Sequence, residues 1–178
     1  MIRFTITLIL AAAFAVPING VAQENVFPTV KARTLNKDRF TVPEDFTAAY
    51  NILLVSFDQD MAESIDEWDA ALTTLRETSH QIQVFSTPLI PNPGALVRGF
   101  INGGFRGMYK DEIVRDRTII LYVKEKEVFP DLNISDEDKA QPMIFVTDQQ
   151  GRIIGRVSGL ADEENLAVVK ALVSPVTQ

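Results

Sequence analysis

Two patterns of apolar and polar positions occur in turn along this chain: continuous apolar runs and apolar residues at helical spacing. Nearly continuous apolar runs of strand length are typical of strands that are covered on both faces of a sheet. Four such runs occur, at residues 52–57, 82–90, 118–123 and 142–147. The last run continues through a polar turn into the apolar segment 152–157, and Gly151 at the end of that turn is typical of a hairpin. The pattern predicts three buried strands followed by a hairpin.

Helical spacing follows two of these runs and closes the chain. Ile65, Trp68 and Leu72 recur at helical intervals, and the spacing of Ser64 and Glu67 predicts a capping box at the start of this helix. Two further helices are predicted, from about residue 94 to residue 100 or beyond and over residues 162–173. This order of elements predicts one α/β sandwich with a mixed sheet, preceded by an accessory hairpin around residues 36–38.

The first residues have the pattern of a secretory signal peptide. Arg3 precedes a mostly apolar run over residues 6–16, and small residues lead to a predicted cleavage after Ala22. The alternative is an uncleaved anchor, but a run of about a dozen residues is shorter than the ~20 that cross a bilayer. We therefore expect an exported protein, periplasmic or extracellular, in which residues 23–178 form a single domain with no stable membrane span.

The composition of the chain indicates which classes of partner and modification to expect. The chain has 178 residues, of which 46% are apolar types, as expected for one globular domain. Its 17 Lys and Arg against 24 Asp and Glu give a formal charge of -7, which repels nucleic acid and anionic lipid over most of the surface. It contains no cysteine, so no disulfide and no lipid-modified cysteine can form.

Three segments resemble the thioredoxin superfamily. QPMIFVTDQQGRIIGRVSGLADEE resembles the cis-proline strand and hairpin of that superfamily, with Pro142 in the place of the proline. NILLVSF resembles its central strand, and FDQDMAESIDEW resembles the loop between that strand and the next helix. The resemblance implies a peroxiredoxin-like three-layer sandwich with a mixed sheet, an N-terminal hairpin extension and a cis-proline hairpin.

Within that superfamily the chain is similar to a branch poor in cysteine. The features are residues 65–68 after a short loop, residues 117–122, and the closing segment 159–164. This branch contains the mitochondrial ATP synthase assembly factor and its bacterial relatives. The resemblance implies a non-catalytic, chaperone-like binding or assembly role with a protein partner, and it implies no cofactor.

The loop after the central strand is where thioredoxin-like enzymes place their reactive cysteine, because a helix N-terminus stabilises a thiolate. Since this loop holds no cysteine, thiol oxidoreductase, isomerase and cysteine peroxidase chemistry are excluded for this chain. We predict instead that the loop and the proline hairpin form a groove that holds an extended segment of a partner. The groove residues are Asp58, Gln59, Asp60, Met61, Glu63, Gln141 and Pro142.

Other uses of the acidic loop stay open at this point. The acids at 58, 60, 63 and 66 could bind Ca²⁺. The loop, however, lacks the glycine and the terminal glutamate of an EF-hand. The alternative explanation is that acids are favoured at helix N-termini for electrostatic reasons. His80 is the only histidine and lies in a polar linker, so a solvated loop position is expected. The alternatives to a binding protein are an enzyme with non-thiol chemistry in this loop and a structural subunit.

A glycine-rich segment at residues 103–107 allows two interpretations. Its amides and Arg106 could cradle an anion, or the glycines could mark a helix terminus that needs backbone freedom, which we favour. The bulky residues around it would form a surface for a partner if they are exposed beside the groove. The possible partner surface consists of Phe105, Arg106, Met108 and Tyr109.

Overall fold

The structure is a computed structural model that describes residues 25–173, so the predicted signal peptide lies outside the described residues. The strands are β1 (Val30–Arg33), β2 (Arg39–Val42), β3 (Tyr50–Ser56), β4 (Ile82–Pro91), β5 (Leu121–Val123), β6 (Met143–Asp148) and β7 (Ile153–Ser158). The helices are α1 (Ala62–Ala71), α2 (Thr73–Thr78), α3 (Ala95–Met108), α4 (Glu112–Arg117), α5 (Glu125–Asp131) and α6 (Glu163–Val173). No helix within the described range is long and apolar enough to cross a bilayer.

The central sheet is mixed and has five strands in the order β5-β4-β3-β6-β7. β3 pairs in parallel with β4, and β4 pairs in parallel with β5. β6 is antiparallel to both of its neighbours, β3 and β7. Two β-α-β crossovers, a hairpin and a last helix therefore appear in the predicted order, and the antiparallel β1–β2 hairpin forms the predicted N-terminal extension.

The central strand β3 is mostly apolar because helices or the hairpin cover both faces of the sheet, and its polar residues Asn51 and Ser56 are buried near its two ends. Leu53 and Val55 belong to a core layer that includes side chains of the β1–β2 hairpin and α5. Ile52 and Leu54 point into a second layer that includes side chains of α1 and α6. All four are fully buried. This alternation confirms the three-layer sandwich.

The start of α1 differs from the predicted capping box. The Asp58 carboxylate accepts a hydrogen bond from the amide of Asp60 at 3.0 Å and opens a 3₁₀ turn over Gln59–Met61. That turn leads directly into α1 at Ala62, so Ser64 lies inside the helix and caps nothing. The prediction was wrong because α1 follows the 3₁₀ turn without a side-chain cap of its own, and Asp58 caps that turn instead.

The predicted helix terminus at residues 103–107 lies close to the observed one, since α3 continues through these glycines and ends at Met108. Contacts at the far end of the helix stabilise this longer form. Arg106 Nε donates to the carbonyl oxygen of Leu35 at 2.7 Å, and the hydroxyl of Tyr109 lies 3.4 Å from a carboxylate oxygen of Asp66. The amides of this segment belong to a helix, so they do not form the anion cradle considered above.

The expected cis-proline is not found at Pro142. The Gln141–Pro142 peptide bond is trans, and Val42–Pro43 is the one cis bond among residues 25–173. Gln141 has the extended backbone that a residue before proline requires, and the Pro142 carbonyl accepts from the Gly159 amide at 2.9 Å. Sequence position does not determine the isomer, because the two forms of an X–Pro bond differ by only about 0.5–1 kcal/mol.

Candidate binding site

A cleft of about 410 Å³ lies between the loop after β3 and the segment that leads into β6. Of the seven predicted groove residues, five line this cleft: Asp58, Asp60, Met61, Gln141 and Pro142. The loop contributes three of them because the 3₁₀ turn holds its side chains at the end of the central strand. The structure therefore brings together the two segments that the sequence analysis assigned to one groove.

The other two predicted residues lie elsewhere. Gln59 lines a narrow crevice on another side of the loop, together with Phe105, Met108 and Tyr109. Glu63 is exposed on the first turn of α1 and does not line the cleft. The crevice matters because it connects the groove loop to the far end of α3.

Four further residues line the cleft and were not predicted from the sequence: Ser64, Lys139, Ala140 and Leu160. Leu160 is 57% exposed and adds an apolar rim. The Lys139 ammonium is already engaged, at 2.8 Å from Asp136 and 3.1 Å from Glu125, and it lies 4.6 Å from the centroid of the Phe129 ring. The cleft thus offers backbone, amide and apolar contacts, with its cation neutralised by ion pairs.

Three residues of the possible partner surface, Phe105, Met108 and Tyr109, line the same crevice, whereas Arg106 turns away from it. Phe105 and Tyr109 are half-buried and stack with ring centroids 6.4 Å apart. Arg106 turns towards the carbonyl of Leu35, whereas Met108 is 47% exposed. Only Met108 is thus available over a large part of its surface.

Tyr109 and Asp66 form the most perturbed pair of titrating groups beside the crevice. Burial, followed by the nearby Asp66 charge, raises the pKa of Tyr109 to about 12. Burial also raises the pKa of Asp66, and the hydrogen bond from Tyr109 opposes that shift. The pair links α1 to the end of α3. The raised pKa of Tyr109 means that its hydroxyl keeps its proton and stays neutral.

The described residues show no arrangement that would hold a metal ion. Among residues 25–173, no group of three or more histidine, aspartate or glutamate side chains is close enough to coordinate one. The Asp58 carboxylate serves as a helix cap. His80 is exposed in the turn between α2 and β4, as its sequence context predicts.

The outward face of α3 is the main feature that the sequence analysis missed. Leu96 is 91% exposed and Phe100 is 88% exposed, although a helix usually turns such residues inward. The opposite face carries Arg98, Asn102 and Arg106 and points towards the β1–β2 hairpin. The four-residue spacing of Leu96 and Phe100 marks a face, but the sequence alone does not reveal that this face is turned outward.

Comparison with known proteins identifies the fold. No family model and no curated protein matches this sequence. Among solved structures, a thiol:disulfide interchange protein from Bacteroides sp. is 12% identical, with a TM-score of 0.55 over 84% of this chain and 88% of that chain. An exposed lipoprotein thioredoxin from Streptococcus pneumoniae is 9% identical, with a TM-score of 0.55 over 83% of this chain and 99% of that chain.

A third similar structure is BsSco, a member of the Sco family of cytochrome c oxidase assembly proteins. It is 10% identical, with a TM-score of 0.55 over 85% of this chain and 94% of that chain. Likeness at these identities shows the fold and not the activity. The chain has the thioredoxin-like fold, and it lacks cysteine throughout.

Proposed function

We propose that this chain is an exported, non-redox, thioredoxin-like protein that binds another polypeptide and assists its assembly. The outward face of α3 docks on an apolar segment of that partner, and the adjoining groove extends the contact. The groove residues are Asp58, Asp60, Met61, Gln141 and Pro142. The export rests on the secretory pattern of residues 1–22. The assembly role rests on the resemblance to a cysteine-poor branch that contains an assembly factor.

The exposure of Leu96 and Phe100 is the observation that carries this proposal. Covering a leucine or phenylalanine side chain is worth about 1.5–3 kcal/mol, so leaving both in water forgoes a large gain. Neither side chain is covered by any other part of residues 25–173. A partner with an apolar segment would recover that free energy.

The glycines of α3 support the same conclusion. A Cβ atom added at Gly103, Gly104 or Gly107 would meet nothing within 4 Å. Each glycine costs roughly 1 kcal/mol relative to alanine inside a helix, and no contact within the described residues requires them. A backbone without side chains lets another chain approach closely beside Leu96 and Phe100.

The groove borders this face through the crevice beneath the loop. Gln59 of the loop and Met108 of α3 line the same crevice, so a bound segment can pass from the helix to the cleft. Leu160 at the cleft rim offers a further apolar contact. Thiol:disulfide interchange, named for one of the similar structures, needs cysteines that this chain does not have.

Affinity capture with matched variants tests the proposal. The tagged full chain and a Leu96→Glu/Phe100→Glu variant are crosslinked in the cell envelope of the source organism and purified. Ile154→Glu/Val168→Glu is the control, because it places the same charge on exposed apolar positions elsewhere. We expect a partner that is captured by the wild type and the control and is lost in the α3 variant.

Two results would contradict the proposal. One is the absence of any specific partner, and the other is a partner that all three proteins capture equally. A Leu160→Glu variant then measures how far the contact extends, since weaker capture would include the groove in the interface.

A further inference from the structure

A second and larger cleft, of about 600 Å³, lies between the β1–β2 hairpin and the inward face of α3. Five of its 14 lining residues are cations, and none is an acid. The cations are Lys31, Arg33, Arg39, Arg98 and Arg106. The whole chain carries 24 acids against 17 Lys and Arg, so a lining with five cations and no acid reverses the overall balance. We call this feature the cationic cleft.

None of the five cations of the cationic cleft forms an ion pair within the described residues. Within residues 25–173, none of the five side chains lies within 4.0 Å of a carboxylate, whereas five cations elsewhere form ion pairs. Arg33 donates to the carbonyl of Lys37 at 2.7 Å, and Arg106 donates to that of Leu35 at 2.7 Å. These bonds hold the guanidinium groups of Arg33 and Arg106 in position without a carboxylate partner. Arg39 also lines a neighbouring cleft whose walls include Asp38, Asp45 and Asp116.

The arrangement of the cations has an electrostatic cost. Arg33 lies directly opposite Arg39 in the antiparallel register of β1 and β2. Like charges at opposed positions destabilise a hairpin, and a single acid at either position would remove the repulsion. A bound anion would offset this cost.

The helical wall of the cleft is ordered by contacts among its own polar groups. The guanidinium of Arg98 lies 5.6 Å from the centroid of the Tyr122 ring. The hydroxyl of Tyr122 lies 3.1 Å from Asn102 Oδ1 and 3.4 Å from the carbonyl oxygen of Arg98. Arg98, Asn102 and Arg106 follow one another at intervals of four residues, so one face of α3 presents donors along its length.

We propose that the cationic cleft binds a small organic anion with two or more phosphate or carboxylate groups. Cations from the hairpin and from α3 reach such a molecule from two walls, and arginine suits the oxygens of both groups. The volume falls in the range of about 300–1,000 Å³ that is usual for small-molecule sites. Long polyanions are disfavoured, because the rest of this acidic surface repels them. The site is distinct from the outward face of α3.

Calorimetric titration of the full chain tests this assignment, with inorganic pyrophosphate and citrate as the two probes. Saturable binding of either anion at one site, weakening as ionic strength rises, is the expected result. Pyrophosphate alone would identify a phosphate ligand, and citrate alone a carboxylate ligand. The absence of saturable binding for both probes at low ionic strength would overturn the proposal.

Gly99 provides the matched pair of variants. It lines the cleft, and a Cβ atom added there would meet nothing within 4 Å. Gly99→Glu and Gly99→Gln add nearly equal volume and both favour the helix, but only the former adds a negative charge. We expect Gly99→Glu to weaken anion binding by about tenfold or more relative to Gly99→Gln.

Two further variants complete the test. Arg39→Gln should weaken binding by about tenfold, whereas Lys126→Gln, which removes an exposed cation outside the cleft, should leave the dissociation constant unchanged within about twofold. Equal effects of Gly99→Glu and Gly99→Gln, or equal effects of Arg39→Gln and Lys126→Gln, would show that the anion binds elsewhere and overturn the assignment. Partner capture is a separate measurement, so failure of one proposal leaves the other testable.

Discussion

Trp68 donates a hydrogen bond from its indole Nε1 to the carbonyl oxygen of Gly159 at 2.9 Å. The indole is fully buried, and the bond ties α1 to the turn before α6. That turn carries Leu160 at the rim of the groove. One buried bond therefore connects the helix after the central strand with the opposite wall of the candidate binding site.

Replacing Trp68 with phenylalanine should destabilise the fold by about 2–3 kcal/mol, because it leaves the buried Gly159 carbonyl unpaired and opens a small cavity. Urea unfolding followed by circular dichroism measures the loss. Tyr50→Phe is the control, since the Tyr50 hydroxyl makes no hydrogen bond within residues 25–173, and it should stay within about 0.5 kcal/mol of wild type. A loss below about 1 kcal/mol for Trp68→Phe would contradict this role.

Stability should depend on the ionisation of Tyr109 at alkaline pH. Burial and the Asp66 charge raise the pKa of Tyr109 to about 12 from its ordinary value of 10.0. The folded state keeps the proton over a range in which the unfolded chain releases it. The stabilisation is thus complete below about pH 10 and is lost as the pH rises through about 12. Urea unfolding across that range should show a shallower loss for Tyr109→Phe; identical pH profiles would contradict the assignment.

Asp69 forms ion pairs with two arginines. Its Oδ1 lies 2.7 Å from a guanidinium nitrogen of Arg76 and 2.7 Å from one of Arg117. Asp69→Asn leaves two half-buried cations side by side, so we expect a loss of about 1–3 kcal/mol in the free energy of unfolding. Glu67→Gln, an exposed change on the same helix, should cost less than about 0.5 kcal/mol. Equal effects of the two changes would refute the role of the cluster.

Gly104→Ala should stabilise the isolated protein by about 0.5–1 kcal/mol, because the added methyl group meets no neighbour and alanine favours a helix. The midpoint of urea unfolding reports this gain. Gly155→Ala provides the contrast, since its Cβ atom would lie 2.7 Å from a side-chain carbon of Leu172. If Gly104→Ala is destabilising, the glycine already serves a contact within the chain and the argument from α3 loses support.

Much of the fold could be predicted because its local patterns agree with its tertiary contacts. The run 52–57 is continuous since both faces of β3 are covered. The turn at Gly151 was predictable since glycine accepts the positive φ of 80° that the hairpin requires. Ile65 and Trp68 fall on the buried face of α1 as their spacing indicates.

Other features depend on contacts between distant parts of the sequence. The length of α3 is stabilised by Arg106 reaching Leu35, 71 residues away, which no local pattern reveals. The cationic cleft exists only because the hairpin and α3 face each other. The groove was anticipated through resemblance, whereas the isomer of the bond before Pro142 depends on a small energy difference that the sequence does not encode locally.

The central claim is that the outward face of α3 receives a partner polypeptide. A photo-crosslinking residue placed at Phe100 tests it most directly, with the same residue at Val168 as control, because both sites are exposed and lie on different helices. Crosslinking in the source organism should yield one specific adduct from position 100 and none from position 168. The same adducts from both positions, or none from either, would contradict the account.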